Sequence, residues 1–229
     1  MLRTFCNYQN QEQRFKSNNT MKLYDLERSG NCYKIRLFLS ILGINYTQVP
    51  VDLFAGENRA REFLRMNPNG LVPVLIDQEI TIYDSVAILC YLAKTYADDE
   101  WFPVETIQFS KVIRWLAFEQ SEGRYGLARA RAIALKNPSS LASTGSLEES
   151  QQIALKALET LDKQLSETRW LAGSRRPTIC DIACYPYTAM SNDGGLSLEP
   201  YYAVQRWMDE IEGLSGYIGL PGKSDKPES

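Results

Sequence analysis

Every segment of this chain that reads as β-strand lies before Tyr96, and beyond that residue the pattern is helical. Such a chain cannot spread one sheet along its length; it must set a small α/β unit beside an all-helical one. The first strand is Lys22-Leu23-Tyr24-Asp25-Leu26, and a loop follows through Asn31. Next comes a helix with Ile35, Phe38, Leu39 and Leu42 at i, i+3, i+4 and i+7, ended by the left-handed stop of Gly43. Residues Tyr46 to Leu53 alternate and predict a second strand, and Gly56 to Met66 predicts an amphipathic helix with Phe63 and Leu64 inward. Val72 to Asp77 and Glu79 to Ile82 predict a hairpin, and Ser85 to Tyr96 a helix with Val86, Leu89 and Ala93 inward. The order is β-α-β-α-β-β-α.

After Tyr96 an acidic stretch ends in Pro103 and marks a linker. Phe109, Val112, Ile113 and Leu116 begin a long helix that runs to about Leu135, with a bend expected near Gly123 and Gly126. Asn137-Pro138-Ser139-Ser140 is a loop. The antiparallel partner, Leu147 to Glu167, carries Ala154, Ala157, Leu158, Leu161 and Leu165 on one stripe. Thr178, with Asp181 three residues later, is a capping-box variant opening a buried helix, and Tyr201 to Glu212 is the last amphipathic one. The expected division is a flexible extension at 1–20 with Met21 as an alternative start, a first domain at 21–97, a linker at 98–106, a helical domain at 107–222 and a tail at 223–229.

With 229 residues, 44% of them hydrophobic, the chain can fill two modest cores. A net charge of −3 with both signs interspersed argues against a nucleic-acid face or a polybasic membrane anchor. No apolar run approaches the length of a membrane span. The first twenty residues lack the apolar core of a secretory signal. Five scattered cysteines, Cys6, Cys32, Cys90, Cys180 and Cys184, indicate neither a disulfide framework nor a metal site, and fit a reducing cytoplasm. Histidine is absent altogether, which removes imidazole acid–base chemistry and histidine-activated nucleophiles together.

Two motifs say most about function. In Asn67-Pro68-Asn69-Gly70-Leu71-Val72-Pro73-Val74-Leu75 a proline sits one residue into a strand, so Val72 starts that strand or lies on an edge, with its backbone left to pair elsewhere. In Tyr83-Asp84-Ser85-Val86 an acid and a serine open a helix, offering a carboxylate, a hydroxyl and bare N–H groups. Together they suit a small zwitterionic peptide.

In ordered series, the serine loop Asp25-Leu26-Glu27-Arg28-Ser29-Gly30-Asn31-Cys32, the run Val51-Asp52-Leu53 with Gly56-Glu57, the two motifs above and Pro177-Thr178-Ile179-Cys180-Asp181-Ile182-Ala183 resemble a cytosolic glutathione transferase of the bacterial, theta-like serine type. The resemblance covers about 200 residues. It implies a thioredoxin-like domain followed by an all-helical one, glutathione as co-substrate, no metal, a homodimer, and transfer of the glutathione thiolate to a hydrophobic electrophile. It also implies a cis bond before Pro73, with Leu71, Val72 and Pro73 along the cysteinyl unit. Asp84 and Ser85 then hold the γ-glutamyl end, and Asn58 stands where relatives often contact the glycyl carboxylate with histidine. Thiol activation falls to Ser29 or Asn31; the alternatives are glutathione-dependent disulfide reduction through Asn31 or Cys32, and a non-catalytic ligand-binding member of the fold. Tyr125 and Arg129 are the expected second-substrate residues. Each has a structural alternative: Ser29, Asp84 and Ser85 as helix caps, Asn58 as a loop amide, Cys32 as a buried thiol, Tyr125 and Arg129 as surface.

Overall fold

The structure, a computed structural model, describes residues 21–137 and 140–220. The expected extension at 1–20 and tail at 223–229 therefore lie outside the described residues, as do Pro138 and Ser139 of the expected loop. A four-stranded sheet of order β2-β1-β3-β4 is formed by β1 (Lys22–Asp25), β2 (Thr47–Pro50), β3 (Val74–Asp77) and β4 (Ile80–Tyr83). Strand β1 runs parallel to β2 and antiparallel to β3, with Leu23 opposite Leu75. The β3–β4 hairpin turns at Gln78, which takes φ 55°.

Helix α1 (Gly30–Ile41) crosses from β1 to β2 and is buried along most of its length, Lys34 and Arg36 included. A helix enclosed all round must pair its charges, and Arg36 does so: its Nη1 donates to both Asp25 oxygens at 2.5 and 2.7 Å, while Nη2 donates to Glu27 O at 2.7 Å. That clamp fixes the loop leading to Ser29. The expected helix from Gly56 to Met66 is instead a 3-10 turn, Glu57–Arg59, and a short α2, Arg61–Met66. Ala60, extended at φ −60° and ψ 144°, separates them; Phe63 is buried as expected and Leu64 only half-buried. Helix α3 (Ser85–Tyr96) closes the first half.

Beyond it the described residues form only helices and turns: α4 (Thr106–Phe118), a wide π-helical segment (Glu119–Ala128), α5 (Arg129–Ala134), α6 (Leu147–Glu167), α7 (Ile179–Ala189) and α8 (Tyr202–Glu212). The expected bend near Gly123 and Gly126 is thus a change of helical pitch, from α to π and back. Gly126 lies hard against α6, where a Cβ would come within 2.8 Å of Ala154 N and 2.9 Å of its Cα. The capping box at Thr178 forms, and the buried Asp181 also accepts from Leu171 N at 2.9 Å and Trp207 Nε1 at 3.0 Å. One continuous core joins the halves, from Leu23, Phe38 and Leu75 to Trp115, Ile182 and Trp207. No helix among the described residues is long and apolar enough to cross a membrane.

Candidate functional site

Where β1 gives way to α1, Ser29 is the N-cap: its backbone is extended (φ −79°, ψ 124°) and its Oγ accepts from Cys32 N at 3.3 Å. A hydroxyl that accepts still has its own proton to donate. The start of the helix is pressed onto α7, since a Cβ on Gly30 would come within 2.8 Å of the Tyr187 ring. Cys32 faces the interior, where Leu26 N donates to its Sγ at 3.4 Å. Burial, reinforced by the Asp25 carboxylate, pushes its thiol far above the ordinary range and leaves it unsuited to exchange.

Between the halves lies a cavity of about 210 Å³. Of the residues singled out from sequence, Ser29, Asn31, Asn58, Leu71 and Val72 line it. The Val72-Pro73 bond is cis, and Pro73 is buried behind Val72. Asn58 has a partner within the protein: its Nδ2 donates to Gly70 O at 2.6 Å and ties the turn that carries Leu71 and Val72. Asn67 helps, donating from Nδ2 to Leu71 O at 2.7 Å. The Arg59 guanidinium rests over the same turn; a Cβ on Gly70 would meet its Nη1 at 2.9 Å.

Asp84 and Ser85 stand at the start of α3, outside the cavity lining. Asp84 adopts φ 73° and accepts from Val86 N and Ala87 N at 2.9 and 3.2 Å, so it is the helix cap. Ser85 is connected to the cavity through Lys34, a residue the sequence reading passed over. Fully buried, Lys34 donates from Nζ to Asn31 Oδ1 at 2.8 Å and to Ser85 Oγ at 3.4 Å, and forms a close ion pair with Glu119 on the π-helical segment. It also lies 5.7 Å from the centre of the Tyr187 ring. Because an ammonium has no acceptor, the Asn31 atom facing it is the oxygen, and the Asn31 amide nitrogen is left to point elsewhere.

The far wall differs from expectation. Gln120, Arg124, Ala128, Arg131 and Ala132, together with Tyr187, form it. Tyr125 and Arg129 lie outside the lining. Arg129 is buried against α6 instead, donating to Ser150 Oγ at 2.8 Å and Thr144 O at 3.1 Å and pairing with Glu149 at 3.3 Å, while Tyr125 packs beside its guanidinium. The two expected residues sit one position along from Arg124 and Ala128, which turns them away from the side of the helix that lines the cavity. Among the described residues no cluster of three His, Cys, Asp or Glu could hold a metal ion.

Residues 19–94 match the family model described as glutathione S-transferase, N-terminal domain, and residues 144–210 match that of the glutathione S-transferase C-terminal domain. The fold is similar to the crystal structure of a glutathione S-transferase from Pseudomonas fluorescens, with a TM-score of 0.80 and 34% identity over 88% of this chain and 98% of that one. A glutathione transferase from Phanerochaete chrysosporium, solved in complex with oxidized glutathione, superposes with a TM-score of 0.76 at 26% identity, over 87% of this chain and 93% of that one. The disulfide-bond oxidoreductase YfcG of Escherichia coli is 28% identical, over 79% of this chain and 85% of its own length. With both family halves matched in order and near-complete coverage of a relative at 34% identity, the chain belongs to the cytosolic glutathione transferase family.

Proposed function

We propose that this protein holds glutathione in the cavity as a thiolate and transfers it to an electrophilic small molecule. The observation that carries this is the convergence of Ser29, Asn31, Leu71 and Val72, from two separated segments, on one cavity beside the start of α1. The free Val72 backbone and the adjoining Leu71 suit the extended cysteinyl unit, a short strand addition. At the γ-glutamyl end, the Asp84 carboxylate keeps lone pairs for an ammonium, and the Ser85 hydroxyl with the α3 terminus suits a carboxylate. Asn58 acts by holding the turn, and Arg59 is placed for the glycyl carboxylate.

A free thiol has a pKa of about 8.5, so the site must favour the charged form near neutrality. Two donors serve: the Ser29 hydroxyl proton and the Asn31 amide N–H, the latter oriented by Lys34. The thiol proton passes to solvent, sulfur forms a bond to the electrophilic carbon, and the electron pair of the breaking bond departs with the leaving group. The electrophile lies against Ala128, Ala132 and Tyr187. We further propose a cytoplasmic homodimer. The described cysteines are free thiols, which fits that compartment, and sedimentation at micromolar concentration tests the assembly.

The similarity to YfcG favours one second reading, glutathione-dependent disulfide reduction. There the bound thiolate attacks a disulfide sulfur, one thiolate leaves, and a second glutathione resolves the mixed disulfide. Titration of the bound thiol in the ultraviolet thiolate band tests the shared core of both readings. The wild type should hold its thiolate at pH values below ~8.5, and Ser29→Ala or Asn31→Ala should raise that midpoint and slow chlorodinitrobenzene conjugation by ~100-fold. If both variants stay within twofold with an unmoved midpoint, neither residue activates the thiol. Hydroxyethyl-disulfide reduction exceeding conjugation would assign the second reading.

A further inference from the structure

The electrophile wall is cationic. Three guanidinium groups, Arg59, Arg124 and Arg131, line the cavity against one carboxylate, Glu119, and that carboxylate is already held by Lys34. Arg131 is fixed and partly neutralised: its Nε donates to Asp193 Oδ2 at 2.8 Å and its Nη1 to Arg28 O at 3.1 Å, on the loop that carries Ser29. Arg59 belongs to the turn beside Val72, on the glutathione side. Arg124 differs from both. Among the described residues no carboxylate lies within ion-pair distance of it, and its Nε is buried with no hydrogen-bond partner. A carboxylate in the cavity would pair with this half-buried, cavity-lining guanidinium through charge-assisted hydrogen bonds to its terminal nitrogens.

We infer that the second substrate is an electrophilic carboxylic acid, whose carboxylate is read by Arg124 with Arg131 behind it, rather than a wholly apolar compound. This rests on the proposal that glutathione occupies the same cavity. Arg124 and Ala128 on the π-helical segment and Arg131 on α5 share the cavity-facing side, so that two cations flank a small residue where the electrophile lies.

Calorimetry with three glutathione derivatives separates the possibilities: S-methylglutathione, S-benzylglutathione and S-(4-carboxybenzyl)glutathione. The carboxylated compound should bind at least tenfold more tightly than S-benzylglutathione, and Arg124→Met should lower its affinity at least fivefold more than that of the benzyl compound. Arg124→Lys should keep part of the preference. Equal affinity of the two benzyl compounds in the wild type overturns the inference while leaving the glutathione site standing. So does an equal loss for all three compounds in Arg124→Met, since Arg124 would then serve a carboxylate of glutathione itself. Binding of none of the three overturns the glutathione site and the inference with it.

Discussion

Replacing Lys34 by methionine tests how the two halves of the protein are joined. Lys34 has no exposed surface and its partner Glu119 keeps only 4% of its side chain accessible, so the variant strands a carboxylate in a water-excluded place. Breaking such a pair from one side costs about 3–5 kcal/mol, and Asn31 and Ser85 lose a donor besides. Against a total stability of about 5–15 kcal/mol that is a large fraction. Replacing both members by apolar residues of similar size removes the stranded charge, so Lys34→Met combined with Glu119→Met should recover to within ~1–2 kcal/mol of the wild type. Urea unfolding followed by tryptophan fluorescence measures all of these, because Trp101, Trp115, Trp170 and Trp207 are all buried. The reasoning is refuted if Lys34→Met unfolds within ~1 kcal/mol of the wild type, or if the two single losses simply add in the double variant.

Gly126→Ala should destabilise by ~1–3 kcal/mol, since the added methyl meets the α6 backbone at Ala154 rather than a movable side chain. An exposed helical glycine would give the opposite sign, so a raised Tm would contradict the close helix contact. Burial raises the thiols of Cys32, Cys90, Cys180 and Cys184 above their ordinary range. The folded state thus keeps these protons to higher pH than the unfolded chain does. Their contribution is complete below the unfolded thiol pKa of about 8.5 and is lost as pH rises above it, at up to ~1.4 kcal/mol per pH unit for each of the fully buried Cys32, Cys180 and Cys184. A Tm that is level or rising between pH 8.5 and 10 would refute this.

The parts of the site set by local chemistry are legible in the sequence. Pro73 after Val72, the Asn67–Gly70 turn and the Thr178–Asp181 box each act on neighbours within a few residues, and the structure has the turn hydrogen bonds and the cap that they imply. What was not legible depends on distant partners or on helix phase. Lys34 reads as a solvent-facing charge until Glu119, 85 residues away, meets it. The signal present was that Cys32, Tyr33, Ile35, Leu37 and Phe38 leave α1 no polar face, so its charges need buried partners. On the far wall the glycines leave the helix phase open in the sequence, and Arg124 and Arg131 rather than Tyr125 and Arg129 face the cavity. Asp84 and Ser85 show a third limit: Asp84 is the helix cap and the Ser85 hydroxyl accepts from Lys34, contacts the structure shows, while a ligand role needs the ligand.

Every activity proposed for this protein requires the cavity between the halves to hold glutathione. Isothermal calorimetry with the reduced tripeptide tests it most directly, and the expected result is saturable binding at one site per chain with a Kd of ~1 mM or tighter. Absence of saturable heat at about ten times that concentration, with the protein folded, would contradict it.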